Sequence, residues 1–217
     1  MKKVITIFTL FFLPLTTEAQ SIYEDFPKEI NPEAKYIFYS HGYIVEGDNA
    51  KPEHPRWGVY DFPKVKESLV SQNHNLIAYH RPKDSDPTKF AKKLSKDASL
   101  LIDAGVKSEN ITFIGFSRGG FISILVSNLL KDDGVNYIIL AGCGDYINKQ
   151  SSVQLYGEVL SILESSDDLV GSCKKVAQRS ELINSFEEIS ISTGKEHGAF
   201  YRPLPEWIQP LKKWMQR

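Results

Sequence analysis

Short apolar stretches alternate with longer amphipathic ones along most of this sequence, and that alternation is the feature that most limits its fold. Six stretches are predicted as buried strands because they are short and rich in β-branched and aromatic residues. They cover residues 35–40, 75–80, 111–115, 136–142, 157–163 and 186–192. Strands that alternate with helices predict a parallel sheet covered by helices on both faces.

The segments between and after these strands predict helices. Asp86 can cap one of them, Pro87 can occupy its first position, and Gly105 can end it. Of the other four predicted helices, one begins at Pro63 and two cover residues 121–130 and 174–182. The last helix carries Trp207, Leu211 and Trp214. The sequence therefore predicts an α/β protein with three layers, in which any ligand binds where the parallel strands end.

Length and charge restrict the classes of function. The chain has 217 residues, of which 41% are hydrophobic and 24% charged, and its formal net charge is −1. This size suits a single domain, expected over residues 20–217. A balanced charge predicts neither nucleic acid nor an anionic membrane as a partner, and the sequence favours no particular oligomeric state.

The first residues differ from the rest. In MKKVITIFTLFFLPLTTEAQS, two lysines precede an apolar run too short to span a bilayer, and small residues follow at Thr17 and Ala19. We expect a signal peptide over residues 1–19, with an uncleaved anchor as the alternative. The mature protein, starting at Gln20, would be exported to the periplasm or secreted, with no stable membrane insertion.

Export bears on the cysteines. The sequence has two, Cys143 and Cys173, which follow the fourth and fifth predicted strands. An oxidising compartment favours a disulfide between them, which would tie two loops together. The alternative is two separate buried thiols.

The motif Gly115-Phe116-Ser117-Arg118-Gly119 stands between the third predicted strand and a helix. A Gly-x-Ser-x-Gly motif in that context is typical of a sharp turn that lifts a nucleophilic serine above the sheet edge. Side chains at the two glycines would collide with the neighbouring strand and helix. A glycine-rich turn that merely packs closely is the alternative interpretation.

A serine nucleophile needs a base, and of the five histidines only His197 follows Ser117 in the chain. It lies in a loop directly after the sixth predicted strand. We expect His41 to be a structural residue. A metal site built from His41, His80 and His197 lacks any ligand-spacing motif, so the sequence predicts no metal and no cofactor.

The base needs a carboxylate to orient it. Asp167 and Asp168 lie in the loop after the fifth predicted strand, and the Asp-x-x-Val spacing favours Asp167. Asp168 and Asp145, which follows the fourth strand, remain alternatives, while Glu164 lies too close to its strand.

An oxyanion intermediate needs two backbone N–H donors. One is expected from Arg118, the residue after the serine. The other is expected from the loop after the first strand, where Gly42 permits a tight turn and Tyr43, or next to it Ile44, supplies the amide.

Taken in order, these motifs resemble those of the α/β-hydrolase superfamily. FYSHGY is similar to its oxyanion loop, GFSRGG to its nucleophile elbow, SSDDLV to its acid loop and KEHGAF to its histidine loop. The resemblance implies Ser117 as nucleophile, Asp167 as acid and His197 as base. Too few residues precede the first predicted strand for the two antiparallel strands that open the family's sheet. The loop between the fourth and fifth strands is too short for a helical cap.

The resemblance implies a carboxylesterase-like serine hydrolase that acts on a small or soluble ester through an acyl-enzyme. Alternatives are a peptidase or acyltransferase with the same three residues, or a non-catalytic secreted binding module with this fold. Arg118 and Arg202 lie near the predicted crevice. Either could bind a substrate carboxylate or remain solvated.

Overall fold

The computed structural model describes residues 21–70 and 74–217. The predicted signal peptide, residues 1–19, lies outside the described residues. Within them, no helix combines the length and the apolar character that crossing a bilayer requires.

Nine strands form in the described part of the chain. They are β1 (Ile22–Tyr23), β2 (Lys35–Ser40), β3 (Glu53–His54), β4 (Gly58–Val59), β5 (His74–Ile77), β6 (Ile111–Phe116), β7 (Asn136–Leu140), β8 (Gly157–Glu164) and β9 (Ile183–Ile191). Seven of them make one sheet in the order β1-β5-β2-β6-β7-β8-β9, and every pair in it is parallel. Strands β3 and β4 form a separate antiparallel hairpin.

Six α-helices lie in the same described residues: α1 (Phe62–Leu69), α2 (Pro87–Asp103), α3 (Arg118–Leu130), α4 (Asp145–Lys149), α5 (Lys174–Gln178) and α6 (Pro205–Trp214). Asp86 caps α2 as predicted, since its side chain accepts a hydrogen bond from the amide of Lys89 at 2.8 Å. Three-residue and six-residue 3-10 helices follow β2 and β9, over Tyr43–Val45 and Glu196–Tyr201.

The core lies on both faces of the sheet. Alternate residues of β2 point in opposite directions, so that Tyr36 and Phe38 belong to one buried cluster and Ile37 and Tyr39 to the other. Helices α2 and α3 bury apolar residues in the first cluster, and α1 and α6 in the second. The prediction of a three-layer sandwich around a parallel sheet is confirmed.

The structure also corrects the predicted elements. The sheet has seven strands where about six were predicted, because β1 is two residues long and too short to show a pattern. The helix predicted over residues 174–182 ends at Gln178, and β9 begins at Ile183, before the predicted residue 186. Most residues of β9 are partly exposed, so its first half lacks the apolar run of a buried strand. The β3–β4 hairpin and α4 were not predicted.

Candidate active site

Ser117 occupies the turn between β6 and α3, at the edge where the parallel strands end. Its backbone angles are φ 54° and ψ −116°, a conformation that costs a non-glycine residue about 1–3 kcal/mol. Two backbone hydrogen bonds hold the turn: the Ser117 amide donates to Leu140 of β7 and its carbonyl accepts from Phe121, each at 2.9 Å. The neighbouring structure therefore maintains a strained turn that presents the hydroxyl.

Close backbone contacts surround this turn and explain its glycines. A Cβ atom on Gly115 would overlap the carbonyl oxygen of Gly119 in the helix, and one on Gly119 would overlap that of Ser40 in β2. A Cβ on Gly120 would lie 2.8 Å from the Cα of Gly142. These are the collisions with helix and strand that the sequence predicted.

His197 lies between Ser117 and Asp167. Its Nε2 is 2.8 Å from Ser117 Oγ, and its Nδ1 is 2.6 Å from Asp167 Oδ2. The side chains of His197 and Asp167 are 6% and 1% exposed, so water has little access to the bond between them. A carboxylate at Nδ1 holds the imidazole with Nε2 free to accept the serine proton.

The structure places the two alternative acids elsewhere. Asp168 is exposed and pairs with Arg56 at 3.2 Å. Asp145 begins α4 with its side chain 91% exposed, and pairs with Lys149 one turn along. Of the three candidates, Asp167 is the one that contacts His197.

Glu164, the last residue of β8, holds the acid and histidine loops together. Its buried carboxylate accepts hydrogen bonds from the amide and hydroxyl of Thr193, at 2.9 and 2.8 Å, and from the hydroxyl of Ser166 at 2.9 Å. Burial alone would raise the pKa of Glu164, but the donors of Thr193 and Ser166 outweigh it and keep that pKa below its ordinary value. Nothing in the sequence around Glu164 indicated these contacts.

The β3–β4 hairpin covers the histidine loop. Arg56 forms ion pairs with Glu196, at 2.5 Å, and with Asp168. The indole Nε1 of Trp57 donates to Glu196 at 2.9 Å, and its ring lies 5.4 Å from that of His197. These contacts hold the pKa of Glu196 below its ordinary value. Nothing in the spacing of residues 53–59 indicated this contact.

Cys143 and Cys173 form a disulfide. It joins the loop after β7 to the loop after β8, and the amide of Gly171 donates to the carbonyl of Cys143 beside it at 2.8 Å. The loop that carries Asp167 is thus fixed to its neighbour by a covalent and a hydrogen bond.

The amides of Tyr43 and Arg118 each begin a helix, the first a 3-10 turn and the second α3. Neither donates a hydrogen bond to any part of the chain that the structure describes. The first amides of a helix lack intrahelical acceptors and attract negative charge. Both residues, with the alternative Ile44, follow the strands β2 and β6 that adjoin in the sheet.

His41, next to this turn, is buried and serves as a structural link. Its Nε2 accepts from the amide of Arg81 at 3.0 Å, which leaves Nδ1 to donate to the carbonyl of Gly42 at 2.8 Å. Arg81 also donates to the carbonyl of His41 and pairs with the buried Glu46. Burial, together with the charge of Arg81, lowers the pKa of His41 well below its usual value, so this histidine stays neutral.

The two arginines considered for substrate binding both contact other parts of the protein. Arg118 donates to the carbonyl of Ser85 at 2.7 Å and lies 3.4 Å from Glu46. Arg202 donates to the carbonyl of Trp57 at 3.3 Å. The structure therefore engages both guanidinium groups within the fold.

The three histidines weighed as a metal site are not brought together. The ring of His41 lies 5.6 Å from that of His80, whereas His197 lies beside Ser117. Among the described residues, no cluster of three or more His, Cys, Asp or Glu side chains could hold a metal ion.

No protein-family model and no curated protein matches this sequence. Solved structures do resemble it. Est1E from Butyrivibrio proteoclasticus, solved with ferulic acid bound, has a TM-score of 0.55 and 14% identity over 88% of this chain and 90% of its own. SOBER1 from Arabidopsis thaliana has a TM-score of 0.57 and 13% identity over 85% and 98%. A serine hydrolase without a lid from Xanthomonas campestris has a TM-score of 0.55 and 15% identity, over 86% of this chain and 83% of its own.

Proposed function

Since this chain has the α/β-hydrolase fold, we propose that it is a serine hydrolase that cleaves a small or soluble carboxylic ester. One observation carries the proposal: Asp167, His197 and Ser117 form a continuous hydrogen-bonded series that ends at a serine on a strained turn. A turn that costs free energy and exposes a hydroxyl to a histidine suits a nucleophile better than a packing element.

In the first half of the reaction, His197 Nε2 takes the Ser117 proton while Oγ attacks the ester carbonyl. The amides of Tyr43 and Arg118 would stabilise the oxyanion, because they have no other acceptor in the described chain. Collapse of the tetrahedral intermediate breaks the bond to the leaving oxygen, which receives the proton from His197. Water then attacks the acyl-enzyme, again with His197 as the base.

The contacts of Asp167 give it the orienting role. It holds the imidazole tautomer and stabilises the imidazolium that forms during each half-reaction. Its burial beside His197 makes this interaction stronger than it would be in water.

We also propose that the protein is exported. The disulfide between Cys143 and Cys173 would persist in an oxidising compartment and is rare in a reducing one. The sequence of residues 1–19 supplies the matching expectation of a signal peptide. Mass spectrometry of the protein recovered after expression in a secreting host would show whether cleavage leaves Gln20 as the first residue.

A fluorophosphonate probe, which reacts covalently with activated serines, tests the proposed catalytic roles. The mature protein should be labelled at Ser117, and Ser117→Ala and His197→Ala should abolish labelling in proteins that remain folded by circular dichroism. Asp167→Asn should lower kcat for a simple aryl ester by roughly 10⁴-fold. Asp168→Asn and Asp145→Asn are the matched controls, and each should keep kcat within about threefold, because neither carboxylate contacts His197.

Absence of labelling in the folded protein would contradict the proposal and favour a binding module. An equal loss of activity in Asp167→Asn and Asp168→Asn would contradict the assignment of the acid alone.

A further inference from the structure

Two pockets are lined by Ser117 and share no other lining residue. One has a volume of about 300 Å³ and is lined by His54, Trp57, Leu169, His197 and Tyr201, together with the Tyr43 turn. We call it the histidine-side pocket. The other has a volume of about 240 Å³ and is lined by Arg118, Ala141, Gly142, Gly144, Tyr146 and Val170. We call it the glycine-side pocket.

The proton path decides which part of an ester each pocket can hold. His197 takes the proton from Ser117 and must deliver it to the leaving oxygen, so that oxygen has to lie within reach of Nε2. The imidazole lines the histidine-side pocket and takes no part in the other. An ester bound the other way round would place its leaving oxygen in the pocket that His197 does not line.

We propose that the leaving alcohol binds in the histidine-side pocket and the acyl group in the glycine-side pocket. This inference rests on the proposed function. In the step it describes, a bond forms between Ser117 Oγ and the acyl carbon as the carbonyl π bond opens. The bond from that carbon to the leaving oxygen then breaks, and the serine proton passes through His197 to the departing alcohol.

The histidine-side pocket selects an aromatic alcohol. Trp57 stacks on His54 with ring centres 4.0 Å apart, and Tyr201 lies edge-on to Trp57 at 5.9 Å. The lining residues include no carboxylate or amide side chain that could bind the hydroxyls of a sugar. A pocket of this size, walled by rings, fits a flat phenolic group better than a carbohydrate.

The glycine-side pocket suits a short acyl group. Two of its lining residues are glycines, and at Gly142 no side chain fits, because a Cβ there would lie 2.6 Å from Ile139 Cγ2. Tyr146, which also lines the pocket, is 68% exposed, so we expect a longer chain to extend past that ring into solvent. A Cβ on Gly144 would meet no atom within 4 Å, and its φ of −96° admits a side chain. Gly144 is therefore a lining position where an added side chain begins in open space.

Acylation and deacylation distinguish the two pockets kinetically. The alcohol has left before water attacks, so residues that bind it affect acylation but not deacylation. Residues that bind the acyl group affect both steps. Pre-steady-state bursts with phenyl and naphthyl esters of acetate, butyrate and hexanoate would measure the two rate constants separately.

Three variants carry the test. Leu169→Ala and Tyr146→Ala each remove an exposed apolar side chain from one pocket, with Leu182→Ala, an equally exposed leucine before β9, as the control. Leu169→Ala should lower the acylation rate for naphthyl esters about three- to tenfold and leave deacylation unchanged. Tyr146→Ala should change deacylation of the hexanoyl-enzyme by a similar factor. Gly144→Ile should slow both steps for hexanoate more than for acetate.

The opposite pattern, with deacylation sensitive to Leu169→Ala and insensitive to Tyr146→Ala, would overturn the assignment. So would equal effects of both variants on both steps. A preference for methyl or glycosyl esters over phenyl esters would overturn the aromatic alcohol. Each of these results requires turnover and so leaves the proposed function standing, whereas a folded protein that neither turns over esters nor reacts with a fluorophosphonate would refute that function itself.

Discussion

The serine turn and the loops that carry Asp167 and His197 are held in place by different physical means. Ser117 is positioned by backbone against backbone: β6, β2 and α3 approach so closely that no Cβ fits at Gly115 or Gly119. Asp167 and His197 are positioned by side chains, through the carboxylate of Glu164 and a disulfide between neighbouring loops.

The difference determines how each region should respond to change. Close-packed backbone has no room to relax, so an added atom must distort the strands or the helix. Loops held by several polar contacts lose them one at a time, because the remaining bonds still limit the motion. We therefore expect all-or-none effects at the serine turn and graded effects in the loops.

Gly119→Ala should have the largest effect. Its methyl group would overlap the Ser40 carbonyl in the central strand β2, and we expect a cost at or above the upper end of the roughly 1–3 kcal/mol typical of overpacking. The variant should yield little folded protein, as measured by soluble yield and urea unfolding. Gly144→Ala is the matched control, because its methyl group meets no atom within 4 Å, and it should unfold like the wild type. A Gly119→Ala protein of wild-type stability would show that the turn can relax.

Removing the disulfide should have the next largest effect. The cysteines are 30 residues apart, and a loop of that length predicts a loss of about 3–4 kcal/mol in the free energy of unfolding. The double variant Cys143→Ala/Cys173→Ala should show this loss in urea unfolding, with a smaller fall in the proposed activity toward an aryl ester.

Dithiothreitol provides the control for that variant. It should destabilise the wild type by a similar amount and leave the double variant unchanged. Mass spectrometry should first show that the reductant has freed both thiols. Equal stability of the wild type with and without reductant would then show that the disulfide does not stabilise the protein.

The serine turn was predictable from the sequence because its requirements fall on glycine, a residue whose absence of a side chain is itself the signal. Of the five histidines, His197 alone follows Ser117 in the sequence, and the chain order of serine, acid and histidine favoured it as the base. The sequence could not decide between Asp167 and Asp168 as the acid. The choice depends on which of the two side chains the turn after β8 directs toward His197.

The β3–β4 hairpin escaped prediction for a related reason. Its two strands have two residues each, and its contacts with Glu196 and Asp168 join parts of the chain more than 100 residues apart. The role of Glu164 was hidden in the same way. A carboxylate at the end of a strand is ordinary in a sequence, and its function comes from donors that the fold brings to it.

Glu164→Gln should have an intermediate effect. The amide keeps the size of the side chain but replaces one acceptor oxygen with a donor, which leaves a donor of Thr193 or Ser166 without a partner. We expect a loss of about 1–3 kcal/mol in the free energy of unfolding and a tenfold or smaller loss in kcat, with KM little changed. Urea unfolding and steady-state kinetics at neutral pH would measure both.

The pH dependence tests the same residue independently. The folded protein holds the pKa of Glu164 below the ordinary value of 4.5, so its charge contributes stability above that pH. The contribution falls as the pH drops through the folded-state pKa. The difference in stability between the wild type and Glu164→Gln should therefore be full at neutral pH and shrink below about pH 4.5. A constant difference down to about pH 3 would show that the charge of Glu164 is not what holds the two loops.

Arg56→Ala should have the smallest effect on stability but should still lower kcat. Arg56 is half exposed, and exposed ion pairs contribute about 0–1 kcal/mol. Its two partners, however, flank the proposed catalytic groups, since Glu196 precedes His197 and Asp168 follows Asp167. We expect unfolding within about 1 kcal/mol of the wild type and a fall in kcat of about three- to tenfold, measured with an aryl ester at low salt.

Lys51→Ala is the matched control for Arg56. Lys51 is similarly exposed and pairs with Asp61, which caps α1, and not with a residue next to Asp167 or His197, so its removal should leave kcat unchanged. High salt should lower the activity of the wild type toward that of Arg56→Ala, because salt screens exposed pairs, and should leave the variant unaffected. If Arg56→Ala and Lys51→Ala behave alike, the hairpin only covers the histidine loop. If they differ, a substitution on the surface affects Asp167 and His197 through the side chains that hold their loops. We expect no such effect at the serine turn, because close-packed backbone holds it in place.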